Sequence, residues 1–581
     1  MTLRLFICAA VVLSAVSFTP SRAARSQARR ADGEARWVEE TLQSLSLRER
    51  LGQTLMAPVQ VEQVTGERLA ELKQELKELG LGGVVVRGGT PETVAALTNE
   101  LQRASRVPLF VGADYERGLR MQMKSDGTPF TNNMGVAAAG DPRAAFEQAK
   151  VTAQEARAVG VNWLFGPVAD LNNNPDNPVI NVRSFGEDPR RVAEFVAAAV
   201  RGTREGGALS TAKHFPGHGD TAVDSHLGLP TIAADRARLE RLELVPFRAA
   251  VAAGVDSVMT AHIALPKLTG DELPATLSPK VTTDLLRREL KFDGLVVTDS
   301  LGMGAITKGF PGGEAAVRAV AAGADVALTP PELKASLDAL EEAVKSGRLT
   351  SERVDESVRR ILRAKYRLGL AESRTVDPQA VKNLVERREA VANARRVAES
   401  SITLLRDGKG LLPLDAARAA RAAFVVVNAD DDPEEGRTFV PQVQSRVTGA
   451  RVLRVEPKTT AGEYEAILSE ATKADAVVVA AFVKRAAGKG TVALPERQAE
   501  FVRRLIAAGR PVAVVAFSGP YLVRQFPDAA AFMVAYGIED VAQEAAARVL
   551  FGEAPARGRL PVSVPGLFEA GAGIQTKGGA R

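Results

Sequence analysis

The amino-acid sequence predicts an α/β protein of two domains: an N-terminal (β/α)₈ TIM-type barrel over residues 37–372 and a smaller C-terminal αβα sandwich over residues 396–570. Three observations lead to this prediction. A chain of 581 residues is too long for one hydrophobic core. Short apolar runs alternate with amphipathic helical stretches, which is typical of parallel sheets. Between Trp37 and Leu370 there are seven or eight such units, the number that an eight-stranded barrel needs.

The predicted strands of the barrel are apolar runs of seven to nine residues. They lie at 82–88, 107–114, 162–170, 208–215, 257–263, 294–300 and 324–330. Between them apolar residues recur with helical spacing, for example over 92–104 and 190–206. Each unit is therefore a strand followed by a helix.

Polar side chains stand at the C-terminal ends of five of these runs. They are Asp114, Asp170, His214, His262 and Asp299. Any one of them alone is most simply a helix N-cap. In a barrel, however, all C-terminal strand ends meet at one mouth, so five together indicate a functional site there.

Residues 373–395 are charged and poor in apolar side chains, and they predict a linker that contains helix. The second α/β pattern follows, with strands predicted at 422–428, 475–483, 511–519 and 530–537. The last residues, 571–581, predict a disordered tail. The second domain contains no histidine, which favours the first domain as the place of the chemistry.

Residues 1–23 have the layout of a secretory signal peptide, with Arg4 followed by a short apolar run and small residues. The alternative is an N-terminal membrane anchor, although the run is short for a span. Cleavage would remove Cys8, the only cysteine, and lower the formal charge from +5 to +3. We therefore expect an exported protein, periplasmic or secreted, without disulfides, and no basic patch favours nucleic acid as a partner.

The segment "AKHFPGHGDTAVDSH" (212–226) holds three of the four histidines of the chain. One hypothesis is a metal site made by His214, His218, Asp220, Asp224 and His226. The spacing of His214 and His218 is that of a metal-binding helix, but Pro216 and the neighbouring glycines would break such a helix.

The second hypothesis for this segment is a proton-carrying pair. Asp224 and His226 are two residues apart, so on an extended loop they project to the same side. The carboxylate would then accept the Nδ1–H of the imidazole and fix its tautomer. A second carboxylate, Asp299, follows the apolar run "GLVVTD", and such a combination suits glycoside hydrolysis with retention of configuration.

The segment "KHFPGHGDTAVDSH" resembles the signature of the β-N-acetylglucosaminidases of glycoside hydrolase family 3. Similar segments are "NNPDNPVINVRSFGEDP" (173–189), "VMTAHIALP" (258–266) and "PATLSPKVTTDLLRRELKFDGLVVTDSLGMGAI" (274–306). "SITLLRDGKGLLPL" (401–414) is similar to the start of the C-terminal sandwich domain that some members carry.

The resemblance implies a role for each candidate residue. Asp299 would be the nucleophile, and His226, oriented by Asp224, the general acid and base. Asp114, Arg183, Lys213 and His214 would bind the hydroxyls of the terminal sugar, with Asp170, His218 and His262 supporting them. The implied substrates are muropeptides that end in β-linked N-acetylglucosamine, and no metal or cofactor is implied.

Several alternatives stay open on the sequence. Within the family they are a phosphorylase and a β-glucosidase, and outside it a metallohydrolase and a wall-binding protein with a decayed site. The oligomeric state is also open. One departure from the family pattern lies in "ADYERGLRMQM" (113–123), where Gln122 stands in place of an arginine that contacts the sugar, and Arg117 or Arg120 could substitute for it.

Overall fold

The structure is a computed structural model that describes residues 22–123, 126–408 and 410–578. Eight parallel strands form the first domain, and their bounds are β1 Leu55–Gln60, β2 Gly83–Arg87, β3 Phe110–Ala113, β4 Trp163–Leu164, β5 Thr211–Phe215, β6 Ser257–Thr260, β7 Leu295–Thr298 and β8 Ala327–Leu328. Strands β1–β4 pair in sequence order and β1 also pairs with β8. Bridges from Trp163 to Leu209 and from Val297 to Val326 join β4 to β5 and β7 to β8. The sheet therefore closes, and the predicted barrel is confirmed.

Helices surround the barrel and connect its strands. They are α1 Arg22–Ser44, α2 Leu47–Gln53, α3 Gly66–Leu79, α4 Pro91–Ala104, α5 Asn133–Ala138, α6 Pro142–Ala158, α7 Pro189–Glu205, α8 Arg236–Arg241, α9 Leu244–Ala252, α10 Pro266–Thr269, a π-helix at Lys280–Glu289, α11 Gly304–Thr307, α12 Glu314–Ala322, α13 Leu333–Lys345 and α14 Ser351–Arg367. Local sequence explains their starts: Asp188, for example, accepts a hydrogen bond from the Arg191 amide, and Pro189 opens α7.

The second domain is a three-layer sandwich around one six-stranded sheet. Its strands are β9 Thr403–Asp407, β10 Ala422–Asn428, β11 Arg451–Val455, β12 Ala476–Phe482, β13 Val512–Phe517 and β14 Ala531–Val534, in the order β11-β10-β12-β13-β14-β9, with only β9 antiparallel. The remaining helices are α15 Val381–Leu384, α16 Arg388–Ser401, α17 Ala416–Ala420, α18 Phe439–Arg446, α19 Ala461–Ala471, α20 Glu496–Ala507 and α21 Asp540–Leu550. Alternate residues of β10 enter two separate apolar cores, one on each face of the sheet.

The two domains are packed against each other. Met134 and Ala138 of α5 belong to one apolar core of the second domain. The Asn172 side chain donates a hydrogen bond to the Tyr521 hydroxyl (2.8 Å), and Arg524 forms an ion pair with Asp176 (2.7 Å). The mouth of the barrel is therefore close to the second domain.

The predicted disordered tail at 571–581 is wrong over its described part. Ile574 donates a backbone hydrogen bond to Leu404 of β9 (2.7 Å), and Thr576 donates one to Ala556 (3.2 Å). Ile574 thereby pairs with the edge of β9, which has no neighbouring strand on that side among the described residues. Residues 579–581 lie outside the described residues, as do 1–21 of the predicted signal peptide with Cys8. No helix in the described part of the chain is long and apolar enough to cross a membrane.

Lys365 of α14 is buried inside the barrel without an acidic partner among the described residues. Its ammonium donates to Gln53 Oε1 (2.7 Å) and lies 5.1 Å from the centre of the Phe110 ring. Burial holds the pKa of Lys365 well below its usual range. Since the unfolded chain binds a proton that the folded chain releases, stability should rise with pH in the window below 10.5.

We expect the substitution Lys365→Met to remove this pH dependence. Between pH 8 and about pH 9.5 the free energy of unfolding of the wild type should rise relative to that of the variant, by at most about 1.4 kcal/mol per pH unit. Urea denaturation at several pH values measures this difference. The control is Lys334→Met, because Lys334 is exposed and paired with Asp338. A difference that does not change with pH would mean that Lys365 is protonated in the folded protein.

Candidate active site

Asp299 follows β7 directly and lies at the mouth of the barrel. Its Oδ1 accepts a hydrogen bond from the Ser300 amide (2.7 Å), and its Oδ2 is 4.0 Å from Nε2 of His214. The side chain retains 20% of its exposure, so a ligand in the mouth can reach it. His262, at the end of β6, donates through Nε2 to the Ser300 carbonyl (2.9 Å) and thereby supports the same turn.

Asp299 is ionised at neutral pH and well into the acidic range. Burial disfavours the charged carboxylate, but electrostatic interactions with His214 and His262 and the hydrogen bond from the Ser300 amide outweigh it. Together they hold the pKa of Asp299 at about 2. The side chain is therefore an anion suited to attack an electron-poor carbon.

His214, at the end of β5, is oriented by Asp170. Its Nδ1 donates to Asp170 Oδ2 (2.7 Å), which leaves Nε2 directed towards Asp299. Asp170 is completely buried and also accepts the backbone amides of His214 and His218. The His218 ring contacts the hydroxyls of Thr221 and Ser225 (3.0 Å each), and burial lowers its pKa to about 4. His218 is thus a neutral part of the loop.

Lys213 and Arg183 form a charged network with two acids beside His214. The Lys213 ammonium is 2.8 Å from both Asp114 and Glu116. Glu116 accepts both Nε and Nη2 of Arg183 (3.0 and 2.5 Å), and Arg183 Nη2 is 3.5 Å from His214 Nε2. Burial opposes the charge of Glu116, yet Arg183 and Lys213 keep its pKa well below the usual range. Sequence reasoning did not single out Glu116, although it stands two residues after Asp114.

Asp224 and His226 form the predicted pair. Asp224 Oδ1 is 2.7 Å from Nδ1 of the His226 ring and also accepts the His226 amide (2.8 Å). The carboxylate side chain is only 1% exposed, whereas the imidazole is 36% exposed and reaches solvent. Burial opposes the charge on Asp224, but these contacts with His226 lower its pKa. The pair is therefore an accessible imidazole whose Nδ1–H is held by a buried carboxylate.

The loop that follows Asp299 supports the loop of the pair. The amides of Gly304 and Ala305 donate to the carbonyls of His226 (3.2 Å) and Ser225 (3.1 Å). A Cβ on Gly304 would lie 2.6 Å from the His226 carbonyl oxygen, so only glycine permits this approach. Asp299 and the pair thus belong to one connected structure at the mouth.

The second domain contributes a hydrogen bond to the Asp224–His226 pair. The Gly488 amide donates to Asp224 Oδ2 (2.8 Å), the oxygen that His226 does not use. Gly488 belongs to the segment 484–490, which is held by ion pairs from Lys484 to Asp432 and from Lys489 to Asp430 (2.6 Å each). A main-chain amide leaves no signal in a sequence pattern, so this contribution of the second domain could not be predicted from the sequence.

The five side chains of the metal hypothesis do not converge. His214 contacts Asp170, His218 contacts hydroxyls, Asp220 forms an ion pair with Arg238 (2.6 Å), and Asp224 holds His226. Across the described residues, no group of three or more histidine, cysteine or acidic side chains is arranged to hold a metal ion.

A cavity of about 330 Å³ lies between the domains next to this site. Gln122 lines it, as do Arg117 and Arg120. Arg117 is bound by Glu539 (2.9 Å), and Arg120 by Glu386 and Asp540 (2.8 and 3.2 Å). Both guanidinium groups are therefore engaged by carboxylates, and the substitution of either for the missing arginine stays a prediction.

An ionised carboxylate and a carboxylate-held imidazole at the mouth of a (β/α)₈ barrel define a glycoside hydrolase site. A family model described as the glycosyl hydrolase family 3 N-terminal domain matches residues 46–364, and one described as the C-terminal domain of that family matches residues 402–572. The chain belongs to glycosyl hydrolase family 3, as the sequence resemblance predicted.

Individual relatives agree with this family. The chain is 32% identical over 547 residues to a β-N-acetylglucosaminidase/β-glucosidase of Cellulomonas fimi, covering 90% of this chain and 95% of that protein. A solved family 3 β-N-acetylglucosaminidase from Paenibacillus sp. str. FPU-7 gives a TM-score of 0.79 at 36% identity, covering 90% and 99%. The β-glucoside phosphorylase BglX bound to 2FGlc gives a TM-score of 0.83 at 29% identity, covering 92% and 97%.

Proposed function

We propose that the protein is an exported, retaining exo-β-N-acetylglucosaminidase that removes terminal β-linked N-acetylglucosamine, with peptidoglycan fragments (muropeptides) as its natural substrates. The observation that carries the proposal is the combination of Asp299, whose pKa is about 2, with the accessible Asp224–His226 pair. The activities named for the relatives from Cellulomonas fimi and Paenibacillus support the choice of sugar.

The first chemical step forms a covalent intermediate. A carboxylate oxygen of Asp299 attacks the anomeric carbon from one face of the sugar. On the other side, the protonated His226 ring transfers its Nε2 proton to the departing glycosidic oxygen, so that the leaving group departs as a neutral alcohol. The products are a glycosyl ester on Asp299 and a neutral imidazole, with Asp224 balancing the charge that His226 carries before transfer.

The second step reverses these roles. Neutral His226 takes a proton from a water molecule at the anomeric carbon while the water oxygen forms the new bond. The ester bond breaks, its electron pair returns to Asp299, and the sugar leaves with its original configuration. Asp114, Arg183, Lys213 and His214 present charged and polar groups on one side of Asp299 and would hold the hydroxyls of the terminal sugar.

Two related activities have support of their own. The name of the Cellulomonas fimi relative includes β-glucosidase. One of the solved structures with a similar fold, BglX, is a β-glucoside phosphorylase. In a phosphorylase, phosphate would replace water in the second step. A neutral imidazole repels that anion less than a carboxylate base would.

We expect initial rates to separate these activities. The wild type should hydrolyse nitrophenyl β-N-acetylglucosaminide with a kcat/KM at least about tenfold above that for the nitrophenyl β-glucoside, since an acetamido group adds contacts worth about 1–3 kcal/mol. When phosphate is added at about 10 mM, the main product should still be the free sugar. Preference for the glucoside, or sugar 1-phosphate as the main product, would favour the corresponding alternative.

A further inference from the structure

The cavity between the domains is rich in positive charge. Five cationic side chains line it, namely Arg117, Arg120, Arg183, Lys484 and Arg485. Three carboxylates line it as well, those of Glu116, Glu434 and Glu539. Among the lining side chains, cations therefore outnumber carboxylates by two, and the question is which of them lacks a partner.

Four of these cations have acidic partners in the protein. Arg183 is bound by Glu116, Arg117 by Glu539, Arg120 by Glu386 and Asp540, and Lys484 by Asp432. Arg485 differs from them. In the part of the chain that the structure describes, its guanidinium group makes no hydrogen bond and no ion pair. The oxygens of Glu116 nearby are already taken by Arg183 and Lys213.

The surroundings of Arg485 raise the free energy of its charge. Burial lowers the pKa of Arg485, as does the positive charge of Arg183, and together they bring it to about 10. The group remains a cation at neutral pH, and this half-buried side chain has no anionic partner among the described residues. A carboxylate in the cavity would supply that partner through a bidentate hydrogen bond.

The position of Arg485 indicates which part of a substrate it meets. It is within electrostatic range of Arg183 and Glu116 and also of Asp224, the carboxylate of the proton-donating pair. It belongs to the segment 484–490, whose Gly488 amide binds Asp224. The proton donor acts on the leaving oxygen, so a group beside it belongs to the leaving part of the substrate. Gln122, where the family arginine is missing, lines the same cavity.

We propose that Arg485 is a specificity-determining residue that binds a carboxylate on the leaving-group sugar, in a subsite formed between the two domains. This proposal rests on the proposed glycosidase function and extends it. The enzyme would then select acidic aglycones over neutral ones of the same shape.

Two substrates that differ only in this charge test the proposal: N-acetylglucosamine β-1,4-linked to N-acetylmuramic acid, and the methyl ester of the same disaccharide. For the wild type, kcat/KM should be about 10- to 100-fold higher on the acid than on the ester. This ratio corresponds to the free energy of one charged hydrogen bond. Arg485→Met should lose that preference while changing kcat/KM on the ester less than about threefold. Arg485→Lys should keep part of the preference for the acid, because lysine retains the positive charge without the bidentate geometry.

The control is Arg510→Met, because Arg510 is exposed and its described side-chain contact is a hydrogen bond to the Thr472 carbonyl. Its kinetics should equal those of the wild type on both substrates. Equal kcat/KM of the wild type on acid and ester, or equal losses on both in Arg485→Met, would overturn the proposed subsite and leave the glycosidase function standing. A wild type that cleaves neither disaccharide nor the nitrophenyl substrate would refute the proposed function, and this proposal with it.

Discussion

Replacing Asp299 with alanine should lower kcat on nitrophenyl β-N-acetylglucosaminide by about four orders of magnitude or more, the scale of loss when a covalent nucleophile is removed. The reason is that no other carboxylate in the described structure has the position of Asp299, 4.0 Å from His214 at the end of β7. The variant should fold, because Asp299 is at the mouth of the barrel and retains solvent exposure.

The matched control for this variant is Asp293→Ala. Asp293 is on the segment that precedes β7 and is 81% exposed, with one long contact to Arg360. Its kcat should stay within about twofold of the wild type. Because the pKa of Asp299 is about 2, the wild type should show no loss of kcat/KM through this group as the pH falls from 7 to about 4. More than a few per cent of activity remaining in Asp299→Ala would exclude it as the nucleophile.

Loss of the His226 imidazole should have the second largest effect, and its size should depend on the leaving group. For His226→Ala we expect kcat/KM to fall by about 10²- to 10⁴-fold on a disaccharide, whose alkoxide leaving group needs a proton. On a dinitrophenyl glycoside the fall should be far smaller, because the dinitrophenolate leaving group departs without a proton. Asp224→Asn should show the same dependence, since it removes the carboxylate that holds His226 Nδ1.

Asp220→Asn is the control for the pair. Asp220 is on the same loop, but it forms an ion pair with Arg238 rather than with the pair. Its rates on both substrates should remain close to those of the wild type. Equal losses on the disaccharide and the dinitrophenyl glycoside in His226→Ala would mean that the imidazole positions the substrate and does not donate the proton.

The parts of the site that the sequence predicted are local in the chain or fixed by the barrel. Asp224 and His226 are two residues apart, so their contact needs only an extended loop. Asp299 follows β7 and His214 lies at the end of β5, and barrel geometry brings the ends of those strands together. The alternation of apolar runs and helical stretches was sufficient to predict the fold, because fully buried strands are continuously apolar in sequence.

The parts that were missed depend on partners distant in the chain. Glu116 gains its role only from Arg183, 67 positions later, and Gly488 acts through a backbone amide. Strands β1 and β11 escaped prediction because β1 contains Pro58 and β11 carries two exposed arginines at the sheet edge. The tail from 571 to 578 lacks apolar periodicity, and its contacts are a bridge from Ile574 to Leu404 of β9 and backbone hydrogen bonds to other distant residues.

The most direct measurement of the central claim is to trap the glycosyl ester. The protein would be incubated with 5-fluoro-β-N-acetylglucosaminyl fluoride, whose ring fluorine slows both steps while the fluoride leaving group restores the first. Mass spectrometry of the intact protein and of its peptides should show one sugar, attached to Asp299. An active enzyme that forms no adduct, or carries it on another residue, would contradict the account.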